Sequence, residues 1–220
     1  MNYKNILFDL DGTLIDSAPG IEESFYKAYI NVYNKACPKI ITSFIGPPID
    51  QVLNAVNGET NLDTINRFVE TFKQFYDKEG YKKSKLYDNV ESVLDDLLKN
   101  KLNVYIATNK RVTPTKLILE YLSISKYFKG IYCPDNLELQ FKNKTNLIAH
   151  IIKTNSLILS ETIMIGDTIH DGMAADENKL DFALVEYGYG EYEKSKYKLN
   201  NIKQLLNILS KNQQHEKIKE

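Results

Sequence analysis

Five short apolar runs constrain the fold of this chain more than any other feature of its sequence. They are continuous rather than alternating, a pattern typical of strands that are buried on both faces of a parallel sheet. The runs cover residues 5–8, 104–107, 130–133, 162–165 and 182–185. Amphipathic helical stripes lie between or after these runs, at 90–98, 114–122, 147–152 and 202–209, and Thr113 before Pro114 predicts the N-cap of the second. This alternation of strands and helices predicts an α/β fold with a doubly wound parallel sheet.

Residues 16–85 interrupt the alternation. They contain helical patterns at 21–32 and 64–76 but no convincing strand run. We therefore predict two domains, an α/β core formed by residues 1–15 and 86–220 and an all-helical cap formed by residues 16–85. An insertion directly after the carboxyl end of the first strand can cover a site at that edge of the sheet.

Composition and charge exclude several classes of function. The chain has 220 residues, with 28 Lys plus Arg against 29 Asp plus Glu, which argues against binding to a nucleic-acid polymer or an anionic membrane. No apolar run approaches the roughly 18 residues of a membrane span. The 2 cysteines fit neither a metal-ligand spacing nor a disulfide framework, and the N-terminal sequence lacks a signal-peptide pattern. We therefore expect a cytoplasmic protein, either a monomer or a homodimer.

The polar residues after three of the strands are the candidates for chemistry, because ligands of an open parallel sheet bind beyond the carboxyl ends of its strands. Near these ends and the helix before the fourth strand lie Asp9, Asp11, Thr108, Asn109, Lys142, Lys144, Asp167 and Asp171. Two carboxylates as close as Asp9 and Asp167 would repel each other unless one gains a proton or a cation lies between them. Mg²⁺ prefers oxygen ligands, so it is a suitable cation to lie between these two carboxylates.

These strand ends resemble the motifs of the haloacid dehalogenase superfamily, and specifically of its phosphatases. The resemblance rests on Asp-Leu-Asp-Gly-Thr-Leu at 9–14, on Thr108, and on Gly166-Asp167 with Asp171. It spans roughly residues 3–190, with the order and spacing of that family. Finer features are similar to the phosphoglycolate phosphatase-like branch, at 16–17, 44–48 and 185–190. The resemblance implies a Rossmann-like core with a small helical cap.

The resemblance also implies a role for each motif residue. Asp9 would be the nucleophile that attacks the phosphorus of a phosphomonoester and becomes an aspartyl-phosphate. Asp11 would protonate the leaving alkoxide and then activate the water that cleaves the intermediate. Thr108 would hydrogen-bond a phosphoryl oxygen, and Mg²⁺ would be held by Asp9, the backbone carbonyl of Asp11 and Asp167. Asp171 would bind a water on the metal or orient the catalytic lysine.

Two lysines compete for the catalytic position. Many relatives carry Lys-Pro-x-Pro here, but this chain reads Lys142-Asn143-Lys144 and has neither proline. Asn143 is a good N-cap residue, which places Lys144 in the first turn of the following helix. We therefore predict that Lys144 neutralises charge on the nucleophile and the phosphate, with Lys142 as the alternative.

Asn109, Gly46 and Lys73 are further candidates for contact with the substrate. Each has a structural alternative, because Asn109 can simply turn the chain, Gly46 can belong to a rigid turn and Lys73 can be a solvated helix residue. His170 lies between two motif aspartates, but Mg²⁺ prefers oxygen ligands, so we interpret it as a surface histidine.

The predicted function is hydrolysis of a small soluble phosphomonoester. Asp11 separates this function from dehalogenation, because the family's dehalogenases lack an acid at that position. A phosphomutase of the β-phosphoglucomutase type and a 5'-nucleotidase share the phosphoenzyme chemistry, so both stay open as alternatives. The non-enzymatic alternative is a phospho-acceptor signalling module, which also clusters aspartates, a threonine and a lysine around Mg²⁺.

Overall fold

The computed structural model describes residues 3–38, 45–58, 60–136 and 139–214. The strands are β1 (Asn5–Phe8), β2 (Ile15–Asp16), β3 (Lys85–Leu86), β4 (Asn103–Ala107), β5 (Gly130–Tyr132), β6 (Asp135–Asn136), β7 (Leu139–Gln140), β8 (Thr162–Gly166), β9 (Asp181–Val185) and β10 (Tyr197–Leu199). The α-helices are α1 (Ala18–Tyr33), α2 (Ile49–Asn57), α3 (Leu62–Tyr76), α4 (Val90–Lys99), α5 (Val112–Tyr121), α6 (Lys144–Thr154), α7 (Ile169–Glu177) and α8 (Gln204–Gln214). Short 3₁₀ turns occupy Gly80–Lys83, Ser125–Tyr127 and Leu159–Glu161.

A six-stranded parallel sheet forms the centre of the molecule, in the order β10-β9-β8-β1-β4-β5. All five predicted strand runs lie in this sheet, so the predicted α/β class with a doubly wound parallel sheet is confirmed. The sixth strand, β10, was not predicted, because only one of its three residues is buried and it leaves no apolar run.

The burial of β1 explains why its sequence is continuously apolar. Ile6 and Phe8 face one hydrophobic cluster, which also contains residues of α4, α5 and α8. Leu7 faces the cluster on the other side of the sheet, which contains residues of α6 and α7. Because helices cover both faces, every position of this strand is removed from water.

The strand register aligns the carboxyl ends of three strands. Phe8 at the end of β1 pairs with Ile106 of β4 and with Ile165 of β8. The chain segments that follow β1, β4 and β8 therefore begin side by side at one edge of the sheet.

Helices α1, α2 and α3 enclose an aromatic core of their own. In it the rings of Phe25 and Phe68 pack edge to face, with 4.8 Å between the ring centroids. The chain enters and leaves this helical segment through the antiparallel pair β2–β3, where Ile15 lies opposite Leu86. The predicted boundaries at 16 and 85 fall in this strand pair, and the division into two domains stays a prediction. Across the described residues, no helix has the length and apolar character needed to cross a membrane.

The predicted start of α5 was wrong. Thr113 was the expected N-cap before Pro114, but α5 begins at Val112 after Arg111. The N–H of Val112 donates to Asp135 Oδ1 at 2.8 Å, so the side chain of the first residue of β6 satisfies this helix end. Pro114 then lies in the first turn, where a missing N–H costs nothing.

Candidate active site

Three buried carboxylates meet at the edge of the sheet where β1 and β8 end. They belong to Asp9, Asp167 and Asp171, and one oxygen of each lies within 4.8 Å of the others. The parallel pairing of β1 with β8 brings them together, and the N–H of Asp9 donates to the carbonyl of Ile165 at 2.9 Å. Asp171 joins them from the first turn of α7.

A single lysine enters this group. Lys144 Nζ lies 2.5 Å from Asp9 Oδ1 and also donates to Asp171 Oδ1, and its side chain is only 3% exposed. The Asn143 side chain caps α6 by accepting the N–H of Asn146 at 2.9 Å, as predicted, and α6 therefore begins at Lys144. Lys142 is exposed to solvent outside this cluster.

The cluster has an excess of negative charge. Three carboxylates and one ammonium give a net charge of 1 − 3 = −2 when all are ionised. Burial raises the pKa of Asp9 to about 7 against the opposing charge of Lys144, and burial together with Asp9 and Asp171 raises the pKa of Asp167 to about 8. For Lys144, burial lowers the pKa but the two neighbouring carboxylates outweigh it. A divalent cation with oxygen ligands would balance this charge, so the donor set fits Mg²⁺.

Asp171 has partners on both of its carboxylate oxygens. Its Oδ2 accepts the N–H of Thr168 at 3.0 Å, as part of a capping box at the start of α7, and also accepts the hydroxyl of Thr168 at 2.7 Å. Its Oδ1 accepts from Lys144. Of the two roles that the sequence left open, this arrangement favours orientation of the lysine.

Asp167 is held by the loop that follows β9. Its Oδ2 accepts the N–H of Tyr189 at 2.7 Å. Gly12 and Gly188 pack directly against the Asp167 side chain, and a Cβ atom at either glycine would overlap it. The hydroxyl of Tyr189 also accepts the N–H of Ser17 at 2.8 Å, so one tyrosine connects this carboxylate to the start of α1.

Asp11 lies apart from the three clustered carboxylates, paired with Lys110. Lys110 Nζ lies 2.9 and 3.1 Å from the two Asp11 oxygens, and 4.7 Å from the ring centre of Tyr76 in α3. With a side chain only 8% exposed, Lys110 is a buried partner of a predicted site residue, and it was not itself predicted. Its place directly after Thr108-Asn109 at the end of β4 was the available signal.

Arg111, the residue after Lys110, makes a second contact with the carboxyl-terminal end of α3. The Arg111 guanidinium binds both oxygens of Asp77, at 2.7 and 3.1 Å. Consecutive residues after β4 therefore contact the consecutive residues Tyr76 and Asp77. These contacts fix the end of α3 against the loop after β4.

The remaining predicted residues line one cavity of about 580 Å³ between the strand ends and helices α1–α3. These residues are Gly46, Lys73, Thr108 and Asn109, and they share the cavity with Asp9, Asp11, Asp171 and Lys144. His170 also lines it and is exposed, as expected of a surface histidine. Of the predicted loop at 44–48, Phe44 lies outside the described residues. Gly46 has a φ of 112°, and a Cβ built there meets nothing within 4 Å among the part of the chain that the structure describes.

Comparison with known proteins agrees with this geometry. Residues 6–185 match the family model of haloacid dehalogenase-like hydrolases. A 5'-nucleotidase of Pseudomonas aeruginosa is 30% identical over 195 residues, which cover 86% of each chain. A phosphoglycolate phosphatase of Photobacterium profundum is 29% identical over 194 residues, which cover 84% of each chain.

Solved structures give the same result. The crystal structure of a predicted phosphatase from Clostridium acetobutylicum superposes with a TM-score of 0.84 at 28% identity, and the match covers 96% of this chain and 100% of that one. Since the family model also spans most of this sequence, the chain belongs to the haloacid dehalogenase-like hydrolases, as a phosphatase of the branch that contains phosphoglycolate phosphatases.

Proposed function

We propose that this chain is a Mg²⁺-dependent phosphatase that hydrolyses small soluble phosphomonoesters through an aspartyl-phosphate on Asp9. The observation that supports this most is the buried group of Asp9, Asp167 and Asp171 around Lys144, with its uncompensated negative charge. Carboxylates are buried together in this way only where a cation or a proton balances them.

In the first step, an Asp9 oxygen attacks phosphorus and the ester P–O bond breaks. Asp11 gives its proton to the leaving alkoxide, so the alcohol departs neutral. In the second step, Asp11 takes a proton from water, which attacks the aspartyl-phosphate and releases inorganic phosphate. Thr108 and Asn109 bind the phosphoryl group, and Lys144 stabilises its charge. Asp9, Asp167 and the Asp11 carbonyl would hold Mg²⁺, which would add charge neutralisation at the phosphoryl oxygens.

Residues 16–85 act as a cap in this proposal. Helix α3 places Lys73, and the loop before α2 places Gly46, on the cavity wall that faces the strand ends. They would exclude bulk water and contact the leaving group, as lids do in other enzymes. The residues that the cap contributes to the cavity lining would then determine which leaving groups the enzyme accepts.

Removal of divalent metal tests the proposal directly. We expect phosphate release from a generic phosphomonoester to disappear in EDTA and to return with excess Mg²⁺. Mg²⁺ should also raise the Tm of the wild type by selective binding to the folded state, and should raise the Tm of Asp167→Asn much less. Full turnover in EDTA, or equal Tm shifts in both proteins, contradicts the metal site.

The two lysines give a second test. Lys144→Met should lower kcat at least about 100-fold, because the variant loses the cation that faces Asp9. Lys142→Met is the matched control, with the same change at an exposed position two residues away, and it should stay within about twofold of the wild type. Normal kcat in Lys144→Met would reject our assignment.

One alternative substrate class has a specific observation in its favour, the 30% identity to a 5'-nucleotidase. A phosphomutase differs only in the group that attacks the phosphoenzyme, and product analysis separates it from a hydrolase. A signalling module would hold the aspartyl-phosphate without turnover, so sustained phosphate release excludes it.

A further inference from the structure

We propose that the alcohol released by this enzyme is uncharged and presents an apolar or aromatic face, and that it does not carry a carboxylate. This inference rests on the proposed function, since it concerns the leaving-group side of the same cavity. Two independent features support it: the apolar wall contributed by α1–α3, and the pairing of the cavity's lysines and arginine with protein carboxylates.

The wall opposite the strand ends is apolar along most of its described length. It is formed by Ile21, Ile45, Ile49, Ile65, Val69 and Phe72, from three helices and the loop before α2. The cavity volume of about 580 Å³ lies within the range of sites that enclose ligands much larger than a two-carbon acid. A leaving group with an apolar face would remove this wall from water, and a small anion would not.

Every lysine and arginine that lines the described cavity already has a carboxylate partner. Lys110 pairs with Asp11, Arg111 pairs with Asp77 and Lys144 pairs with Asp9 and Asp171. The Lys110 side chain is only 8% exposed, and Arg111, although 30% exposed, uses two guanidinium nitrogens on its partner. While Asp11 is ionised, a substrate carboxylate could bind Lys110 only by leaving Asp11 unpaired in a buried site, which is costly. It could bind Arg111 only by breaking the two-bond pair with Asp77.

Lys73 is the one cation whose pair is easily exchanged. Its Nζ lies 2.5 Å from Glu70, but the two side chains are 32% and 65% exposed, and such pairs contribute little. Asp50, which also lines the cavity, adds a further negative charge that opposes a second anion. Lys73 is therefore the residue on which the alternative, a carboxylate-bearing substrate, would depend.

A substrate panel tests the proposal. We would measure Asp9-dependent phosphate release, with Mg²⁺, from benzyl phosphate, a nucleoside 5'-monophosphate, ethyl phosphate and 2-phosphoglycolate. All four release an alkoxide. We expect kcat/KM for benzyl phosphate or the nucleotide to exceed that for ethyl phosphate at least about tenfold, because a ring is buried on the wall. Phosphoglycolate should be no better than ethyl phosphate.

The panel also separates the sources of such a leaving group. A nucleotide that exceeds benzyl phosphate assigns a nucleoside, and the reverse order assigns a smaller aryl alcohol. The proposal is overturned if phosphoglycolate is the best substrate, whether or not Lys73→Met removes that preference, or if neither benzyl phosphate nor the nucleotide exceeds ethyl phosphate.

A pair of variants at Val69 tests the wall itself. Val69→Lys places a cation on the apolar wall, whereas Val69→Met places an uncharged side chain of similar length there. The ratio of kcat/KM for benzyl phosphate to that for phosphoglycolate should be at least about tenfold lower in Val69→Lys than in Val69→Met. Equal ratios in two folded variants contradict the proposal.

Failure of this inference is distinguishable from failure of the proposed function. If none of the four esters releases phosphate, or if release persists in Asp9→Asn, the phosphatase mechanism is wrong. If phosphoglycolate alone is hydrolysed and Asp9→Asn abolishes the reaction, the mechanism stands and only the leaving-group assignment fails.

Discussion

Replacement of Asp9 by Asn should lower kcat at least about 10⁴-fold, because an amide oxygen cannot form the aspartyl-phosphate. Asparagine has the shape of aspartate, so the effect isolates the nucleophile from packing. That loss corresponds to about 5.4 kcal/mol of transition-state stabilisation. The measurement is phosphate release with Mg²⁺ at saturating substrate.

The structure provides reasons to expect that the variant folds. Lys144 keeps its contact with Asp171, and the change removes one of three mutually repelling carboxylates. Asp11→Asn is the informative companion, because it leaves Asp9 able to attack but removes both the acid for the leaving alkoxide and the base for water. With p-nitrophenyl phosphate, whose leaving group departs without a proton, acid-quenched Asp11→Asn should carry one phosphoryl group by intact mass, whereas Asp9→Asn should carry none. Phosphorylation of Asp9→Asn, or activity within tenfold of the wild type, would place the nucleophile elsewhere.

The strands were the most predictable part of this fold. Both faces of β1 are covered, so its sequence is apolar at every position and the strand is visible without an alignment. The proximity of Asp9 to Asp167 then follows from topology, because each residue comes after a buried strand and those strands are neighbours in the sheet. Lys144 could be chosen over Lys142 because Asn143 is a strong helix cap.

The features that were missed depend on contacts between segments far apart in sequence. The buried end of β10, Leu199, packs into the cluster that also contains residues of α4, α5 and α8, and α5 starts early because Asp135 accepts the N–H of Val112. The Lys110–Asp11 pair joins residues 99 positions apart and is completed by Tyr76 from α3. The local sequence pattern contains no information on which charged side chains pair across such long separations in the chain.

Gly12 illustrates a constraint that is visible only in three dimensions. Its φ of 80° is one that side chains with a Cβ rarely adopt. A Cβ atom built there would lie 2.6 Å from the Asp167 carboxyl carbon and 2.8 Å from the Tyr189 ring, far inside normal contact distance. Hydrogen bonds restrain both Asp167 and Tyr189 in place. The Tyr189 N–H donates to Asp167, and the Tyr189 hydroxyl accepts a backbone N–H at the start of α1.

Gly12→Ala should therefore displace the Asp167 carboxylate. We expect kcat/KM to fall at least about 100-fold, since a shift of about 1 Å in a positioned group costs that much in catalysis. The concentration of Mg²⁺ needed for half-maximal activity should rise, which a purely destabilising change would not produce. Both quantities come from initial rates measured over a series of Mg²⁺ concentrations.

Gly58→Ala is the matched control, because Gly58 also has a positive φ, 76°, but a Cβ there, its chain neighbours aside, meets no atom of the described residues within 4 Å. Both alanines strain the backbone by about 1–3 kcal/mol, so both variants should lower Tm. Only Gly12→Ala should change the Mg²⁺ requirement, because only that Cβ contacts a carboxylate of the cluster. If the two variants differ in Tm alone and share the wild-type Mg²⁺ dependence, Asp167 is not a metal ligand, and the cluster must instead be balanced by protons.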